Sequence, residues 1–160
     1  MNSVEGEQLY RQNPQKEVSF VHIVGALMSE RTAKSYFTPA QKKIARDQRM
    51  QVPAEVRAAF DLAFEAWKET WFSGGLSFDS DPHSRTVGRE FDALVALGPA
   101  ILPLVVEALA DPDNFLALQL YDAIQPNDRL VIQFGPEDGR ILEGEQGRAR
   151  RTVQAWFTNS

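Results

Sequence analysis

The chain reads as an all-α protein on three grounds. Val56, Phe60, Phe64, Trp67 and Trp71 recur four, four, three and four residues apart, the stripe of an amphipathic helix. Between Arg89 and Gln125 the run REFDALVALGPAILPLVVEALADPDNFLALQLYDAIQ breaks at glycine and proline into short apolar helices. From Gln146 to Phe157 a closing helix turns Val153, Trp156 and Phe157 inward.

Taken in chain order, residues 1–16 are polar and aperiodic and predict a mobile tail, followed by one compact helical domain over 17–160. Val18–Met28 reads as a helix with Phe20, Val24 and Leu27 on one face, and Val18–Val24 competes as a buried strand. Thr38 caps a basic helix that starts at Pro39 and runs to about Met50. Pro53 opens the striped helix, with Leu62 and Phe72 off the stripe, where a second neighbour would cover them. Ser73–Gly75 ends it, and 73–88 is an internal loop long enough to be functional or mobile.

Phe91, Leu94, Val95 and Leu97 then mark one face of a short helix that Gly98 stops, since glycine adopts the left-handed closing conformation. Pro99 suits the first turn of the next helix, and Pro103 near that turn predicts a bend rather than a break. Asp111 or Asp113 caps a third helix with Pro112 near its start. Its apolar residues (Phe115, Leu116, Leu118, Leu120, Tyr121, Ile124) lie on more than one side, so neighbours must sandwich it. Beyond Pro126, residues 128–143 form a short strand at Leu130–Phe134 or a loop insertion, with turns at Gly135-Pro136 and Asp138-Gly139.

LGPAILPLVVEAL resembles the turn and second helix of a HEAT-type repeat. Together with DNFLALQLYDAI and RRTVQAWF it is similar to a group of small uncharacterised bacterial proteins. There an LG-x-x-A-L-P-L helix precedes an aromatic-x-A-L helix and a terminal Ala-Trp helix. The resemblance covers roughly residues 91–157 and departs at Asp128–Glu143. These are packing motifs. They imply a scaffold of HEAT-like helical hairpins and assign no catalytic residue.

Composition narrows the classes of function. Apolar content of 43% and charged content of 24% belong to an ordinary globular protein. The chain has no cysteine, which removes disulfides, thiol nucleophiles and thiolate metal sites and fits a reducing cytoplasm. Its first residues show no signal-peptide pattern, and no apolar run approaches the roughly 18 residues of a membrane helix. No catalytic signature, cofactor loop or metal-ligand set stands out, so the expectation is a non-enzymatic module without cofactor or metal.

Charge is distributed unevenly. Arg31, Lys34, Lys42, Lys43, Arg46, Arg49 and Arg57 stand against only Asp47 and Glu55, a local +5 in a chain of net charge −5, which leaves −10 elsewhere. Such asymmetry points to a polar partner, or to a basic helix docked on the acidic remainder. Lys42, Lys43, Arg46 and Arg49 are therefore the candidate contacts for a protein partner or a polyanion. In the nucleic-acid alternative they would track phosphates while Tyr36 and Phe37 stack on bases. The bland reading is a solvated helix face.

Three other groups carry weaker signals. Asp79, Asp81 and His83 alternate within the loop and include cation-binding types, but lack the calcium-loop glycine and terminal glutamate; turn and helix entry is the plainer role. His22 sits in an apolar run without a positioned partner and reads as a core histidine. A metal-dependent hydrolase built on these four residues is the third alternative. Trp67, Trp71, Phe72 and Trp156 could line a pocket, yet helical spacing favours packing. Arg148, Arg150 and Arg151 fall on the last helix, where cations complement a nearby helix carboxyl end. The expectation is a protein-interaction or regulatory module, with protein as the partner and no membrane.

Overall fold

The computed structural model describes residues 35–160, which form one compact unit. The tail expected over 1–16, the helix or strand at Val18–Met28 and His22 lie outside the described residues. Among the described residues six α-helices make the frame: α1 (Pro39–Gln51), α2 (Ala54–Thr70), α3 (Arg89–Ala96), α4 (Leu102–Ala108), α5 (Leu118–Ile124) and α6 (Gly144–Thr158). Short 3-10 turns link them, and no strand occurs among the described residues.

Local chemistry sets the helix ends. Thr38 and Gln41 form a reciprocal capping box at the start of α1, the Thr38 amide donating to Gln41 Oε1 at 2.9 Å and the Gln41 amide to Thr38 Oγ1 at 3.2 Å. Pro39 occupies the first turn, where its missing N–H costs nothing. Gly98, at φ 70°, takes the left-handed conformation after α3 and starts the Gly98–Ile101 turn into α4. Pro103 lies in the first turn of α4, where it is tolerated. The chain swings by 95° between α3 and α4, a corner rather than a full antiparallel return. Asp111, not Asp113, provides the next cap: its Oδ1 accepts the Asp113 amide at 2.9 Å ahead of a Pro112–Ala117 turn that leads into α5.

Packing obeys the apolar stripes. Phe60, Phe64, Trp67 and Trp71 are buried on the inner face of α2, and the Trp67 ring meets Trp71 edge-on at 5.0 Å and Phe91 of α3 at 5.3 Å. At the centre lie α4 and α5, with Leu104, Val105, Leu118, Leu120 and Tyr121 at 1% exposure or less. They are sandwiched as their apolar all-round pattern requires: α4 against α1 and α5, and α5 also against α3. On α6, Val153 is fully buried, Phe157 sets its ring 5.0 Å from Phe37, and Trp156 donates to Gln48 Oε1 at 3.1 Å. Leu62 and Phe72, expected to gain a covering neighbour, are 78% and 62% exposed.

Both connecting segments are more ordered than loops. Residues 73–88 hold 3-10 turns at Gly74–Phe78 and Pro82–Thr86 around the buried Arg85 guanidinium. Arg85 donates to the carbonyls of Trp71 (3.1 Å), Leu76 (3.0 Å) and Asp81 (2.8 Å), while its own carbonyl accepts the Trp67 indole N–H at 2.8 Å. The strand expected at Leu130–Phe134 is replaced by a turn at Asp128–Leu130 and irregular backbone. Its carbonyls find other donors: that of Leu130 accepts the Tyr121 hydroxyl at 3.3 Å, and that of Ile132 accepts from Arg148 at 3.1 Å. Residues 128–143 therefore form a connecting segment without strand, seated on α6 where Arg140 and Arg151 flank the Phe134 ring at 4.9 and 5.9 Å.

Among the described residues no single helix is long and apolar enough to cross a membrane. The bent pair α3–α4 passes by length and composition only.

Candidate functional site

The four basic residues of α1 divide into two pairs. Lys43 is exposed and holds Asp47 at 2.9 Å, one turn along the same helix. Arg49, in the last turn, donates to Asp61 of α2 at 2.6 Å and to Glu107 of α4 at 2.9 Å. Burial alone would lower the Arg49 pKa, but hydrogen bonds to Glu107 and Asp61 outweigh it and raise the value. Arg49 is therefore a bracket holding α1 to the body of the protein.

Lys42 and Arg46 are different. Both are exposed, and neither has a carboxylate partner within salt-bridge distance among the described residues. One turn apart, their Cβ atoms are neighbours on the helix surface at roughly 5–6 Å. Both border an open groove of about 270 Å³, lined also by Ser35, Phe37, Ala45, Glu107 and Ala110. Phe37 and Ala45 are buried and give it an apolar floor. At its far edge the Tyr36 amide donates to the Ala110 carbonyl at 3.0 Å, fixing residues 35–37 against the end of α4. Glu107 adds a carboxylate whose Oε2 is already engaged by Arg49.

This arrangement alters the nucleic-acid alternative. Phe37 is 8% exposed and packs on Phe157, so its ring is not presented to a base, and Tyr36 is half-buried beside it. Among the described residues two unpaired cations remain on α1 where sequence spacing suggested four.

Asp79, Asp81 and His83 serve turn formation. Asp79 Oδ1 accepts the Asp81 amide at 2.8 Å, which holds the Asp79 carboxyl below its ordinary range. Asp81 Oδ1 accepts the His83 amide at 3.0 Å and caps the Pro82–Thr86 turn. Among the described residues no group of three or more histidine, aspartate or glutamate side chains converges as a metal site. Trp67 and Trp71 are core, Trp156 is half-buried, and Phe72 lies outside against Arg85, whose guanidinium is 5.7 Å from its ring.

One cluster was marked in the sequence only by Arg148, expected to complement a helix carboxyl end; the structure gives it carboxylate partners instead. Arg148 of α6 donates to Asp122 of α5 at 2.6 Å, to both oxygens of Glu145 at 3.1 and 2.8 Å, and to the Ile132 carbonyl. Gln119 joins through Glu145 at 2.9 Å. Burial pushes the Asp122 pKa up more strongly than Arg148 lowers it, whereas the Arg148 pKa rises because bonds to Glu145 and Asp122 outweigh its own burial. The directions part because Arg148 draws on two carboxylates, while among the described residues Asp122 has Arg148 as its one ion-pair partner and its buried Oδ1 lacks a hydrogen-bond partner. The cluster locks α5, α6 and the 128–143 segment together. Periodicity could not reveal it, since its members lie up to 29 residues apart on separate elements.

No protein family, curated protein or solved structure matches the chain.

Proposed function

We propose that residues 35–160 form a HEAT-like helical scaffold serving as a protein-interaction or regulatory module, with α1 and the groove beside it as the docking face. The observation that carries this reading is the division on α1. Lys43 and Arg49 are engaged within the molecule, while Lys42 and Arg46, among the described residues, remain unpaired beside an apolar floor. Charged groups flanking an apolar depression are what a protein interface uses, the charges orienting the partner and the depression receiving a side chain. The LGPAILPL turn at the centre of the core supports the repeat analogy, which concerns layering, since the 95° corner makes the α3–α4 unit irregular. A cytoplasmic setting fits the cysteine-free composition.

Nucleic acid is the competing reading, and the chain's net charge of −5 and the covered Phe37 ring weigh against it. Capture from native extract on the immobilised full chain, with and without nuclease, separates the two. Retention of a defined protein after nuclease treatment near physiological ionic strength is the expected result. Retention of nucleic acid alone, falling steeply with salt as counterion release requires, would overturn the proposal.

A further inference from the structure

Resting on that docking reading, we propose that the groove beside α1 takes a short acidic segment of the partner, in which an aspartate or glutamate lies next to one apolar side chain. The carboxylate meets Arg46 and Lys42; the apolar side chain enters between Phe37, Ala45 and Ala110.

Charge complementarity argues for the carboxylate. Arg46 offers a planar fork that matches a carboxylate in bidentate fashion, and Lys42 adds a compact charge one turn away. Neither must break an ion pair seen among the described residues to do so, unlike Lys43 and Arg49. The size of the groove argues for a side chain over a cofactor. At about 270 Å³ it lies just below the roughly 300–1,000 Å³ typical of small-molecule pockets, and it is open to solvent.

Chemistry also separates a peptide from a phosphate backbone. An apolar floor gives a phosphodiester chain nothing to bury, whereas it can take up an aliphatic side chain. Glu107 lies in the same groove, and although Arg49 neutralises much of its charge, a row of phosphates would feel it more than one carboxylate does. Two cations one turn apart match a single anionic group.

The test uses the full chain and synthetic peptides in which one leucine is placed at varied spacing from one or two acidic residues. Binding is measured by fluorescence anisotropy near physiological salt, with single-stranded oligonucleotides as the comparison. We expect acidic–apolar peptides to bind. Changing the acid to its amide should weaken them roughly tenfold or more, because a charge-assisted bond is lost. Leucine to alanine should cost a similar factor. K42Q/R46Q should abolish binding with an unchanged circular dichroism spectrum, and K43Q should stay within about twofold, its charge being exposed and already paired.

Peptide binding indifferent to the carboxylate, binding that survives K42Q/R46Q, or binding of oligonucleotides alone would each overturn the inference. Its failure is distinguishable from failure of the docking reading. A protein captured from extract in a Lys42- and Arg46-dependent manner, with no acidic peptide binding, refutes the short acidic segment and leaves the docking face standing. Absence of any captured protein removes the docking face itself.

Discussion

Arg49 Nη1 donates to Glu107 Oε2 at 2.9 Å, joining the last turn of α1 to α4 across 58 residues of sequence. The same guanidinium reaches Asp61 of α2, so one half-buried side chain ties three helices together. Arg49→Ala should therefore destabilise the protein by about 1–2 kcal/mol. That lies above the 0–1 typical of exposed pairs and below the 3–5 of fully buried ones. Urea unfolding measures it; a change in midpoint indistinguishable from zero would mean the bracket contributes nothing.

Leu104 and Leu118, on the two central helices, are 1% and 0% exposed. Truncating either to alanine should cost roughly 2–5 kcal/mol, the transfer term plus the cavity left behind. If both variants unfold within about 0.5 kcal/mol of wild type, α4 and α5 are not the core.

Arg85 organises residues 71–86 through three backbone carbonyls, with no carboxylate among its hydrogen-bond partners in the described residues. Arg85→Ala leaves those carbonyls short of donors and should cost about 2–4 kcal/mol, given roughly 1.5–3 for each bond to a charged group and partial replacement by water. Loosening should be local. Hydrogen exchange should accelerate at the amides of Leu76 and Ser84, which close the two turns, well before those of α4. Uniform acceleration across the chain would contradict this.

Asp122 carries a pH signature. Its folded pKa is raised by burial, so between the unfolded carboxyl value of roughly 3.9 and that folded value the native state holds more protons than the unfolded one. This group's contribution is fully present below the lower value and is lost as pH rises through the higher. Asp122→Asn removes the titration. The stability of wild type relative to D122N should fall on going from acid to neutral pH, as read from urea midpoints at both. A constant or rising difference would show that the pairing with Arg148 outweighs burial.

Much of the frame was legible in the sequence because periodicity and punctuation are local. The Phe60–Trp71 stripe, the Thr38 cap and the Gly98 stop each depend on residues within a few positions and occur as expected, while Asp111 caps a 3-10 turn ahead of the third helix rather than the helix itself. Leu130–Phe134 has β-branched and aromatic character, yet a strand needs a partner, and donors from Tyr121 and Arg148 hold its carbonyls instead. The order within 73–88 comes from one buried arginine that composition alone marks as a surface residue. At the candidate site, spacing identified the four cations of α1. The Lys43–Asp47 pair is open to the same spacing argument, four residues apart on one helix, but Arg49 could not be set apart, because its deciding partners, Asp61 and Glu107, lie on other helices.

Unfolding free energy distinguishes Lys42 and Arg46, turned to solvent, from Arg49, which holds α1 in place. K42Q/R46Q and R49Q are compared with wild type in urea at low salt. The double variant should stay within about 0.5 kcal/mol of wild type, as exposed residues without an ion pair among the described residues should, while the single variant loses about 1 kcal/mol or more. A double variant that loses as much as R49Q would contradict it, placing Lys42 and Arg46 among the groups that hold α1 to the rest of the molecule.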